Sequence, residues 1–415
     1  MNVKKTVAAA LALSAALMAA PALADGFAVY ENSARGVGMA GAMMFSDEAS
    51  LVVYNPAGLW RLKDNGKGQI SGAVTYIAPR GWADFHKDDG TILSQHNKNN
   101  PAYVPSLFWA KKLSDRWVFG IGAFARFGLR CTWDPGWYGR YSSRNAEYAG
   151  VSIAPTVSYK LAKNLHLGLT GEIMYAQLKM DKGLREFGAG MDLKGDNIGF
   201  GWGVGLDWQA SDKLSLAFLY RSEVKQELTG DVNLHMGGAT YGLKARGHVH
   251  MPESYTFGVG WKFNDRTRVE FDAIKTMWSS YDVFPITLSG IPAPYNMMLG
   301  DSYTKVEPKY WRNGWRYQFG IEHKLNEKWT IRAGFTYDTE SAHNPEYNDF
   351  MVPTGTRRTY TVGASYQRKN VEYSFGYGYM YVSDKWINHS GEKGERARFR
   401  DAYAHIISLG AKIDL

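Results

Sequence analysis

The stretch Trp329-Thr330-Ile331-Arg332-Ala333-Gly334-Phe335-Thr336-Tyr337 carries an apolar or aromatic residue at every odd position, with Thr, Arg or Gly between them. Side chains of a β-strand point alternately to its two faces, so a period of two makes one face greasy and the other polar. The same alternation runs through Trp315, Tyr317, Phe319 and Ile321, through Leu214, Leu216, Phe218 and Tyr220, and from Tyr373 to Tyr381. Alternation alone fits a soluble sandwich with its apolar face inside, or a membrane barrel with that face outside. The joins between strands decide. Segments with this period fall near 69–79, 102–113, 116–130, 150–161, 165–180, 198–209, 213–226, 241–263, 266–280, 312–324, 328–338, 357–368, 371–383 and 402–415, an even set of 14. Ser114-Asp115, Asn264-Asp265, Lys369-Asn370 and the joins at 162–164, 210–212 and 325–327 read as tight turns, whereas the joins between them run to roughly a dozen residues or more. Short and long joins alternate, as in an up-and-down outer-membrane barrel, and most segments reach the ~9–11 residues that a spanning strand needs. Trp117, Trp208, Trp261 and Trp329 sit close to tight turns, where an interfacial aromatic belt is expected.

Composition removes the other classes. The 415 residues are 45% hydrophobic and 14% aromatic, too apolar for a disordered chain. Lys4 and Lys5, the apolar run Thr6 to Ala20 and Ala22-Leu23-Ala24 read as a signal peptide over 1–24, with the mature chain beginning at Asp25. No later run of 18 apolar residues occurs, which excludes a helical membrane protein. The net charge of +8 is spread among interleaved acids, so no nucleic-acid partner is expected. Cys131 is the single cysteine, and no GxSxG, HExxH or Walker sequence is present. His248 and His250 share a strand face without an evident third ligand, so neither metal nor cofactor is expected, and no enzyme. The expected architecture is all-β: a 14-stranded antiparallel transmembrane β-barrel over 68–415. Residues 25–67 do not alternate. Small residues from Ser33 to Ala42, a helix start at Ser46 and another at Asn55-Pro56 suggest short helices. A lumen of 14 strands is too wide for its own side chains to fill, so this segment reads as a hatch plugging it, or else as a periplasmic tether.

The start Asp25-Gly26-Phe27-Ala28-Val29-Tyr30-Glu31-Asn32-Ser33, followed by Ser46-Asp47-Glu48-Ala49, Asn55-Pro56-Ala57-Gly58-Leu59, Gly199-Phe200-Gly201-Trp202, Tyr220-Arg221-Ser222-Glu223, Met251-Pro252-Glu253 and Trp278-Ser279, forms an ordered series along the mature chain. That series resembles the FadL family of outer-membrane long-chain fatty-acid transporters, together with its toluene and hydrocarbon channels. The resemblance implies uptake of hydrophobic small molecules through the outer membrane of a Gram-negative bacterium by a monomer whose other partner is outer-membrane lipid. It places Phe27 in an internal hydrophobic pocket and packs Asn55-Pro56-Ala57 beside a kink in the third strand at Arg126-Phe127-Gly128-Leu129, where a gap opens into the bilayer. Gly128 is the expected point of distortion, since glycine tolerates kinked backbone. The resemblance also gives the ligand carboxylate two basic contacts, Lys182 and Lys305, with Lys309 as the alternative to the second. Trp133 and Trp137, in the loop after the third strand, offer an apolar capture surface, or else pack against neighbouring loops. An aromatic-hydrocarbon channel, a plain diffusion porin and an adhesin are the alternatives.

Overall fold

The computed structural model describes residues 26–185, 188–293, 295–353 and 355–415, so the expected signal peptide lies outside the described residues. Fourteen strands make the wall: β1 (Gln69–His86), β2 (Ala102–Lys112), β3 (Trp117–Thr132), β4 (Asn145–Ala162), β5 (Leu165–Leu184), β6 (Ala189–Gln209), β7 (Leu214–Arg221, resuming as Val224–Met236), β8 (Ala239–Met251, resuming as Ser254–Lys262), β9 (Thr267–Thr276, resuming as Val283–Ser289), β10 (Ser302–Pro308, resuming as Gly314–Lys324), β11 (Trp329–Asp338), β12 (Arg357–Arg368), β13 (Val371–Val382) and β14 (Ala397–Asp414). Neighbours in sequence pair antiparallel, and β1 closes on β14 with Gln69 opposite Asp414. Closure removes the free edges that lipid would leave unpaired.

Which face is apolar settles barrel against sandwich. Ile331 on β11 is 42% exposed while its neighbour Arg332 is 4% exposed, the reverse of a soluble core. Phe257, Phe319, Val362 and Leu409 repeat the outward apolar face, and Glu270, Arg316, Glu322 and Arg357 repeat the inward polar one. The tight turns are built by side chains that cap backbone N–H groups. Ser114 Oγ accepts from Trp117 at 3.3 Å, and Asn264 Oδ1 and Asn326 Oδ1 each accept from two following N–H groups at 2.9 Å.

Four expected strands differ in detail. β7 and β8 are interrupted at Ser222-Glu223 and Pro252-Glu253, while β9 and β10 break before Val283 and after Pro308. Pro252 has no N–H to give the ladder. Beyond these breaks the apolar residues, Leu228, Val232, Phe284 and Ile286 among them, turn inward and the outward face is polar, the reverse of the spanning segments, so a search for an outward apolar face did not mark Val283–Ser289 or Ser302–Pro308.

Residues 26–62 are almost wholly buried within the lumen. Helix α1 (Ala34–Gly38) is capped by Ser33 Oγ, which accepts from Gly36 N–H at 3.4 Å, and lies on β11 to β14. Wall glycines make that approach possible: a Cβ at Gly376 would come within 2.6 Å of Ala34 O, and one at Gly334 within 2.7 Å of Ala40. Helix α2 (Leu51–Tyr54) follows, and a 3₁₀ turn, Pro56–Arg61, packs on β4, β5 and β6. Charge fixes the segment in register. Arg35 meets Asp47 at 2.6 Å and Glu322 at 3.2 Å, and Glu322 in turn takes Arg332 at 2.6 Å and Arg268 at 2.9 Å. Asp272, buried nearby, leaves Oδ1 without a hydrogen-bond partner.

Candidate functional site

Among the described residues, the third strand loses its partner along a seam in the wall. β3 pairs with β2 only from Lys112↔Val118 to Leu107↔Ala123, although β2 stays paired to β1 as far as Ala102. Beyond Ala123 the third strand bulges: Ala125 faces Val151 on β4 and Phe127 faces Gly150, so Arg126 is the extra residue. Its guanidinium turns inward to Glu172 at 2.7 Å and to Ser222 O and Pro252 O at 3.1 and 3.2 Å. The distortion is therefore at Arg126, two residues before Gly128, which stays in register with Ala149. A buried ion pair holds the bulge, and no conformational freedom of glycine is needed.

The chain's own N-terminal segment fills the seam. Ala28 bridges Phe127, Val29 N–H donates to Arg126 O at 2.9 Å, and Gly128 N–H donates to Phe27 O at 2.8 Å. Asn55-Pro56-Ala57, expected beside this kink, lies elsewhere, against β4 to β6. Asn55 Nδ2 donates to Asp207 Oδ2 at 2.9 Å, Ser158 Oγ donates to Ala57 O at 2.9 Å, and a Cβ at Gly168 would sit 2.2 Å from Ala57 N. Arg61 Nη2 and Trp60 Nε1 also donate to Asp207, at 2.7 and 3.2 Å. This cluster latches the 3₁₀ turn to the wall.

The same three residues that seal the seam present Phe27 to an aromatic cage. Ring centroids lie 4.8 Å away for Trp278, 5.6 Å for Tyr148 and Tyr281, and 6.1 Å for Phe127 and Trp311. Most of these contacts are edge-on or tilted, the arrangement that ring quadrupoles favour. Trp278, Tyr281 and Trp311 come from the breaks in β9 and β10, where loss of the ladder lets side chains turn inward. Met174, Met180, Met191, Leu228, Val232 and Ile286 complete an apolar pocket around them. Phe27 is 4% exposed. Tyr148 Oη and Trp278 Nε1 are buried there without a hydrogen-bond partner.

At the outer end of the cage stands a charged cluster. Lys182 bonds Glu307 Oε1, while Lys309 lies 3.6 Å from Glu307 Oε2 and 2.5 Å from Asp349 Oδ2. The second basic residue expected, Lys305, lies exposed, and the structure instead brings its alternative, Lys309, to the same carboxylate as Lys182. Burial would raise the Glu307 carboxyl, but the Lys182 and Lys309 ammoniums hold it down at about 2. Burial opposes the charge of Lys309 too, and Asp349 foremost among its neighbours overcomes it, keeping that ammonium above its ordinary range.

The capture loop is not an open surface at Trp133 and Trp137. Each is 2% exposed, and they stack on one another at 3.9 Å against Phe350. They hold the loops together. Beneath the cage, a cavity of about 80 Å³ is lined by Tyr54, Arg126, Arg221, Asp272 and Gln318. Sequence reasoning did not find Trp278, Tyr281 and Trp311 as cage walls, or Glu307, Asp349 and Asp207 as anchors. The signal for the first three was aromatic residues falling where alternation lapses, with Trp278 also inside the Trp278-Ser279 motif.

Comparison with known proteins is consistent along the chain. Residues 15–414 match the family model described as "Outer membrane protein transport protein (OMPP1/FadL/TodX)". The long-chain fatty acid transport protein of Escherichia coli K12 is 22% identical, over 91% of this chain and 93% of that protein. The crystal structure of a Pseudomonas aeruginosa FadL homologue superposes with a TM-score of 0.80 at 22% identity, covering 94% of this chain and 99% of that one. The Ralstonia pickettii toluene transporter TbuX gives 0.68 at 17% identity, covering 91% and 98%. With the family match running through nearly its whole length, the chain belongs to the FadL/TodX family: it is a channel for hydrophobic molecules in the outer membrane of a Gram-negative bacterium, and not an enzyme.

Proposed function

We propose that a hydrophobic molecule enters from the outer loops, displaces Phe27 from the aromatic cage, and leaves sideways into the bilayer through the seam between β2 and β3. One observation carries this reading: Phe27 occupies the cage through its ring and helps seal the seam through its carbonyl. A ligand that takes the place of the ring therefore strains the seal. Each CH₂ that moves from water into such a pocket contributes roughly 0.8 kcal/mol, which favours entry, and a direct step into lipid keeps that gain. The cavity beneath the cage is walled by Val53, Phe127, Leu219 and Ile274 as well as by Arg126, Arg221 and Asp272, and the way down from it is poor for an apolar molecule. Below them, Arg35, Arg268, Glu322 and Lys412 line a wide vestibule.

Fatty acids and toluene, the substrates that the relatives' names carry, both fit an apolar cage of this kind. A fatty acid would bring its carboxylate toward Lys182 and Lys309.

The test is a reversible lock. Ala28 and Phe127 face one another in a non-hydrogen-bonded antiparallel pair, where Cβ atoms are close enough for a disulfide. In a Cys131→Ala background, Ala28→Cys with Phe127→Cys should abolish cellular uptake of radiolabelled toluene and of a radiolabelled long-chain fatty acid when oxidised. Reductant should restore it. Equal uptake in the two states would show that the seal does not have to open.

A further inference from the structure

The cage and the charged cluster beside it say which head group the site accepts, an inference that rests on the cage being the ligand's seat. Lys182 and Lys309 are the basic residues here, and each already has an anion: Glu307 bonds Lys182 and faces Lys309, and Asp349 holds Lys309 from the other side. Two buried cations meet two carboxylates, and the exposed Lys305 adds only a solvent-screened charge near Glu307. Lys182, Glu307 and Lys309 are mostly buried, with side-chain exposures of 7%, 14% and 5%. The cluster adjoins the cage, since Lys309 N–H donates to Asp282 O at 2.7 Å, next in sequence to Tyr281, whose ring lies against Phe27. Glu307 is paired across strands with Phe284, and Lys182 with Met191, both in the apolar wall.

A carboxylate arriving at this balanced cluster adds an uncompensated negative charge to a site shielded from water, or must expel Glu307 or Asp349 from its partners. Either costs free energy that an uncharged ligand of the same length does not spend. A neutral oxygen meets no such obstacle, and the cage holds two unpartnered groups, the Tyr148 hydroxyl and the Trp278 indole N–H, that can bond to it. We infer that Glu307, with Asp349 behind it, is a specificity-determining residue that supplies the lysines with an internal anion and thereby turns the pocket against carboxylates and toward uncharged hydrophobic molecules bearing a neutral oxygen, such as alcohols and esters.

The experiment compares one chain length in two head groups. Tritiated palmitate and tritiated methyl palmitate are bound at equilibrium to the mature full chain in lipid nanodiscs, with empty nanodiscs subtracted, at about pH 8, where free carboxylates are ionised. Wild type should favour the ester. Glu307→Gln, which leaves Lys182 without its anion, should shift the acid-to-ester affinity ratio toward the acid by roughly tenfold, the size of one charge-assisted hydrogen bond. Asp349→Asn, which removes the nearer anion of Lys309 and leaves Glu307 in place, should shift it the same way, and it decides the matter if the first variant does not fold. Faster migration of the unheated band on a detergent gel certifies folding. A wild type that prefers palmitate, or folded variants that leave the ratio unchanged, would overturn the role of Glu307. If wild type binds neither ligand and the disulfide lock leaves uptake untouched, the cage itself is wrong as the seat, and this inference goes with it.

Discussion

Phe27 is the residue on which the channel's state turns, because its ring and its carbonyl serve different neighbours. Phe27→Ala separates the two roles by vacating the cage while keeping the backbone bond to Gly128. Burial of a phenylalanine ring is worth about 1.5–3 kcal/mol. A ligand that no longer competes with the ring should bind about tenfold or more tightly, yet uptake should fall, since ligand entry no longer pulls on the seal. Unaltered affinity in an equilibrium binding assay would make the ring a passive filler. The Lys182–Glu307–Lys309 cluster makes a prediction about pH. Glu307 is depressed from its ordinary value, so its contribution is complete above that value and is lost only as pH falls through about 2. Lys309 is raised and keeps its charge through the ordinary lysine range. Binding of methyl palmitate should therefore be flat from about pH 5 to about pH 9, a window between ordinary carboxyl and lysine values. A midpoint inside that window, seen in the same nanodisc assay, would count against this charge arrangement.

At the scale of elements, the seam exists because β3 carries one residue too many. Removing Arg126 would bring Ala125↔Val151 and Phe127↔Gly150 into one continuous register with β4. The variant should insert at normal abundance and lose uptake. Normal uptake would place the exit elsewhere. The sequence led to the right tetrad, Arg126-Phe127-Gly128-Leu129, but to the wrong residue, because the force that holds the bulge comes from Glu172, 46 positions away. The same limit hid the place of Asn55-Pro56-Ala57. Its helix-starting character is local and legible, whereas its docking on Asp207 depends on a strand about 150 residues later. The latch can be tested directly. Asp207→Ala strips Arg61 of its buried partner, and loss of one member of such a pair costs about 3–5 kcal/mol. Amide exchange across Leu51–Arg61 should accelerate while the wall strands stay protected; unchanged exchange would show that the glycine cradles alone hold the turn.

For the whole molecule, strand number and membrane-facing sense were legible because lipid imposes a period of two on every spanning segment. The alternating run at Trp329 and the tight turns sufficed. The outer ends of β7 to β10 were not legible in the same way, since there the apolar face turns inward onto the pocket and the lipid-facing sense of the period is lost. Neither was the burial of Trp133 and Trp137, whose stacking partner Phe350 lies on a loop some 200 residues on. A closed barrel resists unfolding in detergent. The unheated protein should run faster than the boiled one on a detergent gel, and identical mobility would contradict closure. One further consequence follows from having a single peptide segment fill the pocket and seal the wall. On the proposed route, an idle molecule is a shut one, so the outer membrane's resistance to bile salts and lipophilic antibiotics does not decline as more copies are made. Cells can raise expression to scavenge a scarce nutrient without a standing leak, and sensitivity to such compounds becomes the signature of a detached N-terminus.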